Sequence, residues 1–261
     1  MIHSSKSISS AVLTVLLGLG GVTGALAQTG TIPSATSIPV TFTHTLDAGK
    51  AKSGETVTAK TTQVVVLPGG RELPIGTTLI GHVGESTPFA FNPAPYAVQT
   101  PSVLSVHFDK IVANGATIPV SLSVRAIAGP VASHEASILH FRDETDTTGT
   151  RILIGGDQFS PTESQVLSPL GEVVGYNRSK GVFARLIATD SENGNASLHC
   201  AATDTEQSVA IFSANACGVY GSDASLATGK EAGTFVLTSN RETVKLYANS
   251  AALLQVVDSG V

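Results

Sequence analysis

The sequence predicts an all-β protein: a small β-barrel followed by a β-rich second half with at most one or two short helices. Its composition, with 26 Gly among 261 residues and frequent Thr, Ser and Val, favours strands and turns over helical bundles. Apolar and polar residues alternate along several short segments, which is the period of a half-buried strand. Turns rich in Gly and Pro separate these segments.

The charge balance excludes two broad classes of protein. Lys and Arg number 15 against 20 Asp and Glu, so the formal net charge is −5 and no basic surface for nucleic acid is expected. Hydrophobic residues make up 42% of the chain, and this fraction is too high for an acidic disordered chain. The chain is therefore expected to be globular and not to bind nucleic acid.

Residues 1–27 have the pattern of a secretory signal peptide. Lys6 precedes an apolar run over residues 11–22, and Ala25-Leu26-Ala27 resembles a cleavage site. The apolar run is shorter than the roughly 20 residues that span a bilayer. We expect cleavage after Ala27, a periplasmic or secreted protein, and no membrane span after cleavage.

The chain has two cysteines, Cys200 and Cys217. Two cysteines in an exported chain most simply form one structural disulfide. A reactive thiol pair is the weaker alternative, because the spacing is not Cys-x-x-Cys.

The first half contains the clearest strand patterns. Apolar side chains alternate along 38–45, 57–66 and 77–83, and Pro68-Gly69-Gly70 predicts a turn. Asn114-Gly115 lies between two further alternating runs and predicts a hairpin.

Residues 84–101 interrupt this alternation. Four prolines exclude a regular central strand, and Glu85 is the one charged residue of the segment. The aromatic residues Phe89, Phe91 and Tyr96 suggest a loop that binds a partner. In the alternative, Phe89 and Phe91 fold back to cover the open end of the barrel.

The second half is less sharply patterned. Residues 134–146 are expected to form a solvated connection, and 208–218 suit either a helix or a buried strand. Residues 235–257 predict a terminal hairpin or meander. This gives a barrel core at 28–130 and an extension at 131–261, with residues 234–257 as candidates to return to the barrel.

Several segments share the pattern of one known family. They are an Ile-Pro-x-x-x-x-Ile-Pro-Val element at 32–40, Thr45-Leu46-Asp47, residues 54–59, the Leu-Pro-Ile-Gly-Thr-Thr-Leu-Ile-Gly-His-Val strand at 73–83, residues 106–112, Asn114-Gly115 and Ile118-Pro119-Val120. Through them, residues 32–124 resemble the periplasmic barrel domain of the conjugal-transfer TrbI-like family, which forms part of the envelope core of type IV secretion channels.

The resemblance implies a barrel whose wall bends at Gly76 and whose strands cross closely at Gly81. That family also keeps an inner-membrane helix, a Pro-rich arm and a helical insertion. Here a cleavable signal and a short leader are expected instead, and no amphipathic helix pair follows Val124. The resemblance therefore implies the barrel without the channel.

No familiar catalytic or phosphate-binding motif occurs in the sequence. His134 and His140 would lie about 20 Å apart along a strand, so they are not expected to share a metal ion. Residues 143–149 lack the spacing of an EF-hand calcium loop. His44, His82 and His107 are expected at strand surfaces, and no cofactor is expected.

The sequence thus favours a non-enzymatic, exported envelope protein that binds a protein or glycan partner, with oligomer contacts between barrels left open. A secreted hydrolase is the alternative, because catalytic triads are recognised by geometry and not by residue order. An outer-membrane barrel is disfavoured, because alternating strands of about ten residues with aromatic girdles do not recur.

Overall fold

The structure, a computed structural model, describes Met1 and residues 31–94, 96–193 and 196–258. The predicted signal peptide therefore lies, apart from Met1, outside the described residues. The all-β class is confirmed: the described part of the chain is strands and loops with one α-helix, α1 (Pro130–Glu135), and a 3-10 turn at Pro68–Gly70. Within the same ranges, no helix is long and apolar enough to cross a membrane.

The strands, in chain order, are β1 (Ser37–Phe42), β2 (Leu46–Asp47), β3 (Thr56–Thr61), β4 (Val65–Val66), β5 (Glu72–Leu73), β6 (Thr78–Thr87), β7 (Ser102–Ala113), β8 (Ala116–Pro119), β9 (Ser121–Ala128), β10 (Arg151–Ile152), β11 (Gln158–Phe159), β12 (Gln165–Leu167), β13 (Val173–Arg178), β14 (Gly181–Arg185), β15 (Thr189–Asn193), β16 (Ala196–Cys200), β17 (Glu206–Ser208), β18 (Gly218–Tyr220), β19 (Ser225–Thr228), β20 (Thr234–Ser239), β21 (Lys245–Leu246) and β22 (Ala251–Val257).

The main sheet has ten strands in the order β18-β9-β22-β1-β3-β6-β7-β20-β19, with β8 paired to β7. The last strand, β22, lies between β1 and β9, and β20 pairs with β7 and β19. The expected terminal hairpin or meander was wrong. The run Ala251–Leu254 is buried on both faces, and such a strand is more stable in the middle of a sheet than at its edge.

A closed barrel is not found in the described residues. The sheet curves until residues of β9 lie within 8 Å of residues of β7 and β20, but β18 and β19 remain its two edges. The antiparallel pair β15–β16, which we call the strap, approaches both of these edge strands. Residues of β18 and β19 also lie within 8 Å of each other, but no hydrogen-bonded ladder joins these two strands. The strap lies against both strands at this unpaired junction, which we call the seam.

A second sheet, in the order β10-β11-β12-β13-β14-β17, belongs to the second half of the chain. Its core is continuous with one face of β9 and β22, where Ala126 and Leu253 are buried. The opposite face of β22 packs into the main core through Leu254 and Val256. Strands β9 and β22 thus separate two hydrophobic cores.

Three local predictions in the first half are confirmed. Asn114 and Gly115, with φ of 50° and 78°, form the turn of the β7–β8 hairpin. Gly76 has φ of 81° at a bend before β6. A Cβ atom on Gly81 would lie 2.1 Å from the carbonyl oxygen of His107, at a bulge between β6 and β7.

Residues 209–217 adopt neither of the two expected forms. They follow β17 as an irregular segment in which Phe212 bridges to Ile154 of the second half. Val209, Phe212 and Ala214 are all buried. Tertiary packing, and not a regular hydrogen-bond pattern, therefore fixes the path of this segment.

The predicted disulfide is present. Cys200 and Cys217 are bonded, with their Cα atoms 6.0 Å apart. Cys200 ends the strap, and Cys217 precedes β18. The bond therefore attaches the strap to one edge of the main sheet.

Candidate functional site

The best candidate for a functional site is the loop between β6 and β7, residues 88–101, which we call the aromatic loop. Ala90 and Thr100 pair as an antiparallel bridge at its base. The amide of Gln99 accepts the Asn92 N–H at 2.7 Å and donates to the Asn92 carbonyl oxygen at 3.1 Å. The loop has few backbone hydrogen bonds of the kind found in strands or helices, and these contacts fix its conformation.

The tip of this loop exposes apolar side chains. Phe91 is 72% exposed, and Tyr96 and Val98 are almost wholly exposed, whereas Phe89 is half-buried. Phe91 therefore does not fold back over the end of the sheet. The sequence did not predict that Val98 belongs to this exposed apolar surface, because a single Val between Ala and Gln forms no recognisable pattern.

The base of the aromatic loop is attached to the segment before β21. The Phe89 N–H donates to Thr243 Oγ1 at 3.1 Å. Ser102 Oγ donates to the Thr87 carbonyl oxygen at 2.9 Å and accepts the Val244 N–H, also at 2.9 Å. Both ends of the loop are therefore fixed to the framework, and the exposed tip projects from a rigid base.

Thr243 and Val244 also line a cavity of about 340 Å³. Its apolar wall includes Ile127, Val219, Ala224, Leu237, Val244 and Leu246. Its polar rim includes Lys245, whose Nζ lies 3.4 Å from Asp47 Oδ2. A hydrogen bond from the Gly49 N–H lowers the pKa of Asp47, so this carboxylate is charged at neutral pH.

The two side-chain amides of the aromatic loop, those of Asn92 and Gln99, form hydrogen bonds within the loop. Asn92 Oδ1 accepts the Ala94 N–H at 3.1 Å, and the Gln99 amide also donates to the Ala97 carbonyl oxygen. No charged residue occurs between Glu85 and His107. The loop therefore presents aromatic and aliphatic surface with few free hydrogen-bonding side chains.

A hydroxyl, an imidazole and a carboxylate meet on β7 and β20, outside the aromatic loop. Thr234 Oγ1 lies 3.0 Å from His107 Nδ1, and His107 Nε2 lies 3.7 Å from Asp109 Oδ1. The second distance exceeds a hydrogen bond. Asp109 instead bonds His82 Nδ1 at 3.0 Å, so these groups are not aligned as a catalytic relay.

The other candidate ligand groups are held in local contacts. His140 Nε2 lies 3.3 Å from the Glu135 carbonyl oxygen, and His134 belongs to α1. Asp143 and Asp146 accept backbone N–H groups of their own loop, and bonds led by the Gly149 N–H lower the pKa of Asp146 to about 2. Among the described residues, no three His, Cys, Asp or Glu side chains are arranged to hold a metal ion.

Asp157 is a carboxylate buried in the second core. Burial raises its pKa above the ordinary value, although its Oδ2 accepts the Ala214 N–H at 2.9 Å. Because the folded state binds this proton more tightly than the unfolded state, Asp157 contributes most stability below its ordinary pKa of 3.8. That contribution is lost as pH rises through the higher folded-state value.

We therefore expect the unfolding free energy of the wild type, relative to Asp157→Asn, to fall as pH rises from about 3.8 and then to level off. Urea unfolding of both proteins between pH 3 and 7 measures this difference. The carboxylates whose pKa is lowered are present in both proteins, so their pH-dependent contributions cancel in the difference between the two unfolding free energies. A difference that rises with pH, or stays flat, would contradict the prediction.

The fold and this site define an all-β protein that carries one disulfide and an anchored, exposed aromatic loop. Comparisons with protein-family models, curated proteins and solved structures found no match.

Proposed function

We propose that this protein is an exported, non-enzymatic component of the cell envelope that binds a partner through the aromatic loop. The observation that carries the proposal is the exposure of Phe91, Tyr96 and Val98 on a loop whose base is fixed by Thr243 and Ser102. Aromatic side chains on a rigid base lose little entropy on binding and commonly supply most of the affinity of an interface.

A protein partner is favoured over a glycan. Recognition of a sugar needs several free hydrogen-bonding side chains beside the aromatic rings. Here the side-chain amides of Asn92 and Gln99 bond within the loop, and charged side chains are absent from residues 86–101. The exposed Tyr96 hydroxyl is one polar group beside the rings, fewer than the several that a sugar needs. The expected partner surface is apolar.

The proposed location in the cell envelope rests mainly on the sequence. The expected signal peptide and the disulfide support export, and the resemblance of residues 32–124 to the TrbI-like barrel domain supports a place in an envelope assembly. Sequencing the N-terminus of protein isolated from the periplasm should find Gln28 first. A chain that begins at Met1 would contradict export by cleavage.

The double variant Phe91→Ser/Tyr96→Ser tests the binding role. Photo-cross-linking from position 98 in intact cells should give a discrete adduct, and the double variant should lower its yield at least tenfold, because two anchor side chains are lost. Both side chains are exposed, so the unfolding free energy should change by less than about 0.5 kcal/mol.

Leu170→Ser provides the matched control, because Leu170 is 88% exposed and lies outside the aromatic loop. It should leave the adduct unchanged. Equal yields for the wild type and the double variant would exclude the loop as the binding surface, and an adduct between two copies of this chain would identify the partner as the protein itself.

A further inference from the structure

The main sheet contains a buried cation that the proposed function does not use. Arg125 lies in β9 where the register with β22 passes from Val124 to Ala126, so it is the extra residue of a β-bulge. The residue is only 2% exposed. In the described residues no acidic side chain forms an ion pair with it, and desolvation lowers its pKa to about 10, so it is still charged at neutral pH.

Backbone carbonyl oxygens surround this guanidinium in place of a carboxylate. Nε donates to Ala216 at 2.9 Å, Nη1 donates to Ala201, and Nη2 donates to Ile187 and, at 3.4 Å, to Ala214. Arginine suits this role because its donors point outward from one rigid plane in several directions.

These four carbonyl groups come from the two ends of the strap and from the approach to an edge strand. Ile187 precedes β15 and Ala201 follows β16, whereas Ala214 and Ala216 precede β18. One side chain from β9 therefore holds both ends of the strap against the seam.

The disulfide joins the same two segments. Cys200 is the neighbour of Ala201, and Cys217 is the neighbour of Ala216. Cys200 Sγ also lies 3.5 Å from the carbonyl oxygen of Arg125 itself. The guanidinium and the disulfide thus both connect the strap to the segment that leads into β18, one through hydrogen bonds and one covalently, and the Ile187 N–H adds a backbone bond to Ala214.

We propose that Arg125 docks the strap over the seam and aligns Cys200 with Cys217 before their disulfide forms. In the oxidation, the two thiols lose two protons and two electrons, one S–S bond forms, and a disulfide oxidant such as oxidised glutathione is reduced to two thiols. The guanidinium acts as a positioning group, and the covalent bond then fixes an arrangement that already exists.

The first test measures how readily the cysteines pair. The full chain without its signal is equilibrated with reduced and oxidised glutathione, and the effective concentration of one thiol at the other is obtained. Arg125→Lys keeps the charge, but all donors of a lysine lie on one nitrogen and cannot reach the four separate carbonyl groups. The variant should therefore lower the effective concentration at least tenfold. Arg151→Lys, in the second sheet, should leave it unchanged. Equal values for the wild type and Arg125→Lys would overturn the proposal.

The second test leaves Arg125 in place and removes the thiols. In Cys200→Ser/Cys217→Ser, the amides of Ile187 and Thr203, which bond to Ala214 and Leu186, should keep their hydrogen-exchange protection within tenfold of the oxidised wild type. Loss of that protection with the main sheet intact would overturn the proposal, because docking of the strap would then depend on the disulfide. This measurement can overturn the proposal even if Arg125→Lys does not fold.

Discussion

Gly81→Ala is expected to destabilise the protein by about 3 kcal/mol, the upper part of the range for overpacking a core. The new Cβ atom would lie 2.1 Å from the His107 carbonyl oxygen and 2.9 Å from Phe108 Cα. Both are backbone atoms of β7, the strand paired with β6, so relief requires the two strands to separate at the bulge. Urea unfolding followed by far-UV circular dichroism measures the change.

Gly84→Ala is the matched control, three residues further along the same strand. Its Cβ atom would meet the Ser105 hydroxyl at 2.7 Å, a side-chain group that can rotate but then loses the hydrogen bond it accepts from the Glu85 N–H. The expected cost is about 1 kcal/mol, close to the net value of that bond, because alanine also restricts the unfolded chain. If Gly81→Ala unfolded at the same urea concentration as Gly84→Ala, the close approach of β6 and β7 at Gly81 would be wrong.

Reduction of the disulfide is expected to lower the unfolding free energy by about 3 kcal/mol. The bond closes a loop between residues separated by 17 positions, and the chain-entropy model gives this value for such a loop. For a domain of this size the loss corresponds to a fall of roughly 10 °C in Tm. Thermal unfolding with and without a thiol reductant measures it.

Cys200→Ser/Cys217→Ser is the control for the reductant. It should unfold near the Tm of the reduced wild type, and its Tm should not change when reductant is added. A wild-type Tm that is insensitive to complete reduction, verified by thiol titration, would show that the loop is already constrained in the unfolded state.

The sequence predicted the features that depend on neighbouring residues. The alternation in β1, β3 and β6 and the turn at Asn114-Gly115 follow from local conformational preference, and the bend at Gly76 was implied by the resemblance; all are present. The two cysteines could be paired because no other thiol competes. Residues 84–101 were predicted as a loop from their prolines; the structure confirms this for 88–101, whose tip is exposed, but β6 continues through Gly84 to Thr87, ahead of the first proline.

Local patterns did not place the strands that pair across the chain. The tail was predicted as a hairpin or meander, with residues 234–257 as candidates to return to the barrel, but no pattern showed that β22 inserts between β1 and β9, which are far away in sequence. The alternation of side chains shows which face of a strand is buried and does not show which strand is its partner. The same limit applies to residues 209–217, whose irregular path depends on contacts with Ile154.

The sequence by itself determined an all-β protein with one disulfide and an uncharged aromatic loop, because composition, turn residues and the number of cysteines are properties of the chain alone. Only the tertiary structure decided that the sheet stays open at the seam and that the strap covers it. It also placed Arg125, an isolated cation within an apolar strand, among four carbonyl groups. Those groups belong to residues 62 to 91 positions away in the sequence, and only folding brings them together around one buried charge.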